Sequence, residues 1–138
     1  NRGQTIIDYL NQIYDRFGYF YEYTQSITLK GISGVEKIDQ IMTYFRENPP
    51  VLMNRTLQYY DDILRGVTVR EQVEKAIDLP RSNVLKYVYD QDTWIVFRPS
   101  GTEPKIKIYY GTKGQSMADA KEYVRLINEV MKHEIEKI

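Results

Sequence analysis

Residues 84–111 read VLKYVYDQDTWIVFRPSGTEPKIKIYYG, and no other stretch limits the fold as strongly. VLKYVY and TWIVF are rich in β-branched and aromatic residues, and the DQD between them suits a tight reversal. After a polar stretch at 98–104 comes KIKIYYG. Its strict alternation puts Ile106, Ile108 and Tyr110 on one face and Lys105, Lys107 and Tyr109 on the other. Strand, turn, strand, loop and strand follow one another, which suits an antiparallel sheet.

Helical patterns flank this run. Thr5 precedes Ile6, Ile7, Leu10, Ile13, Tyr14 and Phe17, an apolar face with a hydroxyl cap and Gly18 as its stop. Residues 19–29 read as extended chain. In GISGVEKIDQIMTYFRENPP, Ser33 and Glu36 predict a capping box. Val35, Ile38, Ile41, Met42 and Phe45 then trace a helical stripe that Pro49-Pro50 ends. Residues 57–64 suit a strand, weakened by Asp61-Asp62. Residues 66–80 fit either a short helix capped by Thr68 and Glu71 or a loop, and their weak periodicity predicts mobility. Ser116 and Asp119 open a last helix with the stripe Met117, Ala120, Val124, Ile127, Met131 and Ile135. The order predicts an α+β domain: an antiparallel sheet of about four strands with two helices packed on one face.

The 138 residues fit one domain with a piece of a neighbour, and 42% hydrophobic content supplies a core. Nineteen basic residues balance nineteen acidic ones. That balance argues against a general nucleic-acid or anionic-membrane binder, whose affinity rests on clustered positive charge. Without cysteine there is no disulfide and no thiolate metal site, in keeping with a cytoplasmic location. No apolar run reaches membrane-spanning length. Starting at Asn1 inside a helical pattern, the chain reads as a piece of a longer protein.

The polar stretch carries the chemistry. Arg98 offers a planar fork of donors that suits two oxygens at once. Ser100 and Thr102 add hydroxyls, and Gly101 lets backbone N–H groups converge on an anion. Pro99 and Pro104 restrict the loop, and Lys107 on the next strand is within reach. Together these residues suit a tetrahedral oxyanion such as phosphate. A pairing of Arg98 with Glu103 or Asp92 across an ordinary turn fits the same residues. The Walker spacing is absent, which disfavours nucleotide hydrolysis.

RPSGTEPKIKIYYG closely resembles the phosphate-binding loop of the α-D-phosphohexomutases, the phosphoglucomutase and phosphomannomutase superfamily. LPRSNVLKYVY and TIIDYLNQIYDRFGYFYEY are also similar to its bacterial phosphoglucomutases. The likeness spans most of the chain outside residues 51–80. It implies a four-domain enzyme in which a phosphoserine and a magnesium loop in the first two domains transfer phosphate. A third-domain loop reads the sugar. A TBP-like fourth domain grips the phosphate that is not reacting and closes the cleft. The match implies phosphate contacts at Arg98, Ser100, Gly101, Thr102 and Lys107. Residues 1–18 resemble the tail of the third domain, and 19–138 the fourth.

The nucleophile, magnesium and sugar-reading motifs are missing from this sequence. The resemblance therefore implies no catalytic or metal residue here and no activity for this chain alone. The implied partners are glucose 1-phosphate, glucose 6-phosphate, their bisphosphate intermediate and the other three domains. A free-standing module binding phosphate or single-stranded RNA is the alternative, disfavoured by the charge balance. His133 reads as a solvated side chain, and Asp61-Asp62 as surface charge on opposite strand faces. Tyr19, Tyr21 and Tyr23 read as packing against neighbouring domains.

Overall fold

The computed structural model describes residues 18–29 and 33–138. The helix expected over 5–17 therefore lies outside the described residues. Of the segment 1–18, only Gly18 is described, in the left-handed region at φ +96°.

The elements in chain order are β1 (Tyr19–Thr28), α1 (Gly34–Glu47), β2 (Leu57–Asp62), β3 (Val67–Arg70), β4 (Val73–Ala76), β5 (Leu85–Tyr89), β6 (Thr93–Pro99), β7 (Lys105–Gly114) and α2 (Met117–Glu136). They form one antiparallel sheet in the order β1-β7-β6-β5-β2-β3-β4. The alternation of β5, β6 and β7 decides which face is covered. Leu85, Tyr87, Tyr89, Ile95, Phe97, Ile106, Ile108 and Tyr110 all point one way and are at most 2% exposed. The helical stripes close over them: Ile38, Ile41, Met42 and Phe45 from α1, and Val124, Ile127, Met131 and Ile135 from α2. Burying each such side chain contributes roughly 1.5–3 kcal/mol before the entropy of ordering it. Phe45 stacks on Phe97 with ring centroids 4.6 Å apart. The α+β class, the antiparallel sheet and the two helices on one face agree with the sequence reading.

The strand count does not. The sheet has seven strands rather than about four, because β2, β3 and β4 extend it past β5. Residues 66–80 form neither a short helix nor an unpaired loop. Within them β3 and β4 pair as a hairpin with Arg70 opposite Val73. Its two turn residues, Glu71 and Gln72, have φ of 51° and 65°. This is the doubly left-handed geometry that two-residue hairpins prefer, here without the usual Asn or Gly to announce it. Every residue of β4 is exposed.

Asp62 corrects the surface-charge reading. It is fully buried, and Arg46 of α1 donates from Nε to its Oδ2 at 2.9 Å. The backbone N–H of Arg65 donates to Oδ1 at 3.2 Å. A carboxylate at the end of β2 is therefore held by a cation reaching across from the helix, which lets an acidic residue occupy a core-facing strand position. Ser33 also departs from expectation. It precedes α1 in helical conformation, and its side chain makes no capping hydrogen bond, so the capping box with Glu36 is not formed. At α2 the cap is present: Asp119 N–H donates to Ser116 Oγ at 3.0 Å, and Asp119 Oδ2 accepts from Gln115 N–H at 3.1 Å.

Tyr21 and Tyr23 are engaged within the chain. Tyr21 packs against the core and Tyr23 stacks on Tyr110, centroids 6.5 Å apart. On the opposite face Trp94 lies across from Gly111, where an added Cβ would collide with the indole. His133 is exposed near the end of α2.

Two outcomes follow from this core. Arg46→Ala leaves the buried Asp62 carboxylate without its cation and should lower stability by about 3 kcal/mol, read as a reduced urea midpoint. Burial also pushes the phenols of Tyr87, Tyr89 and Tyr110 well above their ordinary range. A group whose folded pKa is raised stabilises fully below its unfolded pKa, about 10 for tyrosine, and loses that contribution as pH climbs. Stability should thus be insensitive to these phenols below pH ~10 and fall above it, by about 1.4 kcal/mol per pH unit for each tyrosine. Denaturant titrations across that range measure the slope.

Candidate functional site

The β6–β7 register sets the site. Phe97 is the last core residue of β6, so Arg98 emerges on the face away from the helices. Lys107 stands directly opposite it in the ladder, between buried Ile106 and Ile108, and emerges on that same face. Facing residues in an antiparallel pair hold their Cβ atoms about 5 Å apart. Two exposed cations are therefore neighbours on the outer face, and like charges so placed repel. Both alternative partners for Arg98 are engaged elsewhere. Glu103 pairs with Lys105 at 3.0 Å, and Asp92 with Lys113 at 3.4 Å. Among the described residues no carboxylate pairs with Arg98 or Lys107.

The connecting loop is short and braced at its base. Ser100 N–H donates to the Lys105 carbonyl at 2.9 Å, and Leu29 N–H donates to the Pro104 carbonyl at 2.8 Å. Gly34 begins α1 so close to Pro104 that a Cβ there would come within 2.6 Å of the proline Cβ. Gly101 has φ +89° and open space around its missing side chain. Glycine is needed there for its backbone conformation, not for room. The Ser100 N–H is committed within the loop. The N–H groups of Gly101 and Thr102 and the hydroxyls of Ser100 and Thr102 have no partner among the described residues.

The sequence-predicted residues thus gather around one end of the β6–β7 hairpin. They divide between two surfaces. Lys107 belongs to the outer face beside Arg98. Arg98, Ser100 and Gly101 also line a groove of about 310 Å³ against the start of α1, which neither Thr102 nor Lys107 lines. Sequence reasoning missed other residues that line that groove, among them Asp39 of α1 and Asn83. Asn83 Oδ1 accepts from Arg46 Nη2 at 2.7 Å, and the same guanidinium holds Asp62. No spacing rule links residues 39, 46, 62 and 83, so only the fold brings them together. Among the described residues no group of three or more His, Cys, Asp or Glu could hold a metal ion.

Residues 59–130, more than half of the chain, match the family described as phosphoglucomutase/phosphomannomutase, C-terminal domain. The chain belongs to that family. A phosphoglucomutase of Staphylococcus aureus strain MRSA252 is 40% identical over 114 residues, covering 80% of this chain and 20% of that protein. Its counterpart in strain MSSA476 is 38% identical over 120 residues, covering 85% and 22%. The chain therefore spans about a fifth of the length of the curated relatives it matches. The crystal structure of parafusin, an exocytosis-sensitive phosphoprotein and phosphoglucomutase from Paramecium, is similar in its open form. It matches with a TM-score of 0.55 at 18% identity, over 93% of this chain and 23% of that one. That likeness concerns the fold.

Proposed function

We propose that this chain is the phosphate-gripping, cleft-closing domain of a larger phosphohexomutase that interconverts glucose 1-phosphate and glucose 6-phosphate. The observation that carries the reading is the pair of unpartnered cations, Arg98 and Lys107, side by side next to a braced loop of free hydroxyls and N–H groups. A dianion there relieves their mutual repulsion and satisfies donors that nothing else occupies.

In such an enzyme the remote phosphate is held here while the other reacts. Binding energy gathered at Arg98, Ser100, Gly101, Thr102 and Lys107 fixes the reacting oxygen in place and favours the closed, water-poor cleft. The bisphosphate intermediate then turns round, and the same loop grips the other phosphate. The reading places residues 1–18 at the tail of a preceding domain, with 19–138 as the gripping domain. It makes the other three domains this domain's partners in the same chain, and it assigns the enzyme to the cytoplasm. Magnesium would assist transfer from residues elsewhere in the longer protein. The described residues here do not fit a metal site, and no step of this domain's role runs through one.

This 138-residue chain, given glucose 1-phosphate, magnesium and a bisphosphate activator, should show no mutase activity. Turnover that persists through repurification would count against the assignment. Titration of the labelled chain with inorganic phosphate should shift the amides of residues 98–102 and the Lys107 side chain first. Binding should tighten as pH rises through the second phosphate pKa of about 6, since the dianion is the stronger acceptor. Arg98→Ala should weaken it about tenfold or more, and Lys107→Ala about threefold, since a fork is lost in one case and a flexible point charge in the other. Shifts clustered elsewhere, or an Arg98→Ala variant that binds like wild type, would overturn the reading. Retention on an RNA column in moderate salt would favour the RNA-binding alternative.

A further inference from the structure

The two edges of the sheet are finished differently. β4 is short, wholly exposed and carries Glu74 and Lys75, the usual protection of an edge against strand pairing. β1 at the other edge is ten residues long and pairs with β7 without a bulge. It carries Glu22 as its sole charge and no proline. The bond from Leu29 N–H to the Pro104 carbonyl continues that ladder and fixes its phase, so the odd-numbered residues of β1 exchange bonds with β7. The N–H and C=O groups of Phe20, Glu22 and Thr24 therefore point outward, and among the described residues they have no partner. At Ser26 the outward carbonyl accepts from Gln25 Nε2 at 3.1 Å, which ends the open stretch.

The helix side of this edge is cationic. Lys121 Nζ of α2 lies 5.8 Å from the centre of the Tyr21 ring, and Asn128 Nδ2 donates to Gln25 Oε1 at 3.2 Å. These two contacts run α2 along β1, and the stripe Lys121, Arg125, Asn128 and Lys132 at helical spacing flanks the edge strand. Arg125 is already held by Glu122 at 2.6 Å. Lys121 and Lys132 pair with no carboxylate among the described residues, and Glu129 is the acid that stands nearby on the helix.

We propose that the Phe20–Thr24 edge of β1 is a strand-addition site for an extended acidic segment of another protein. Main-chain bonds to Phe20, Glu22 and Thr24 supply the affinity, and alternate side chains of the added strand fall on the helix side beside Tyr21 and Tyr23. Carboxylates at those positions meet Lys121 and Lys132. A second copy of this chain is poorly matched. Its β1 brings another cationic α2 flank toward the first, and its Glu22 lies on the opposite face of the sheet.

The test titrates the labelled chain with a capped peptide of alternating glutamate and threonine, about eight residues long, and with its lysine–threonine counterpart. The glutamate peptide should bind, and the amides of Phe20, Glu22 and Thr24 should shift and gain protection from exchange. Those of Tyr21 and Tyr23, already bonded to β7, should be protected with or without peptide. The lysine peptide should bind about tenfold more weakly or worse. Thr24→Pro removes one outward N–H at an edge position where proline is tolerated, and should weaken binding about tenfold while the fold is kept. Lys121→Glu combined with Lys132→Glu should invert the preference between the two peptides. Equal binding of both peptides, shifts without the two-residue alternation, or a Thr24→Pro variant that binds like wild type would sink the proposal. Concentration-dependent dimers in sedimentation, with the same alternating protection, would give the edge to a second copy and also overturn it.

Discussion

The register between β6 and β7 holds the core and the candidate site together. Ile106 opposite Pro99 and Ile108 opposite Phe97 keep apolar side chains under the helices, and that same pairing sets Arg98 and Lys107 side by side on the opposite face of the sheet. Because side chains alternate with a period of two, a slip of one residue would drive Lys107 into the core and expose the isoleucines. The hydrophobic effect thus sets the position of the charges. Two repelling cations cost little at the surface, and the burial of their neighbours outweighs that cost.

A second constraint works from the other side of the sheet. The Arg46–Asp62 pair ties α1 to β2, and through Asn83 it reaches the approach to β5. The Asp62 carboxylate also receives the Arg65 N–H, which braces the turn from β2 toward β3 where the sheet continues beyond β5. One guanidinium therefore braces the end of β2 and orients Asn83 in the groove lining. Removing a charge that does both leaves a buried partner uncompensated, so stability and site geometry are linked at this point.

Much of this was legible from the residues. Alternation in 84–111 gave β5, β6, β7 and their inward face. The stripes of α1 and α2 followed from 3.6-residue spacing, and the loop motif pointed to the family. What stayed hidden has physical reasons. Thr68 and Val73 lie in four-residue strands too short for alternation to register. Glu71 and Gln72 adopt left-handed backbone without glycine or asparagine as a marker. Asp62 looked like surface charge because its partner stands 16 residues away on a helix. Asn83 carries no local signature at all, since its orientation depends on that same arginine.

The placement of Trp94 over Gly111 has a practical side. It is the chain's only tryptophan, and it lies on the sheet face from which Arg98 emerges, two alternate positions along the same strand. At the usual rise the two are roughly 13 Å apart. The molecule therefore carries its own optical reporter on the face where the cations stand. Indole emission from Trp94 responds to the polarity and packing of that face with no label attached, while the helix-covered core beneath contributes only tyrosine and phenylalanine rings.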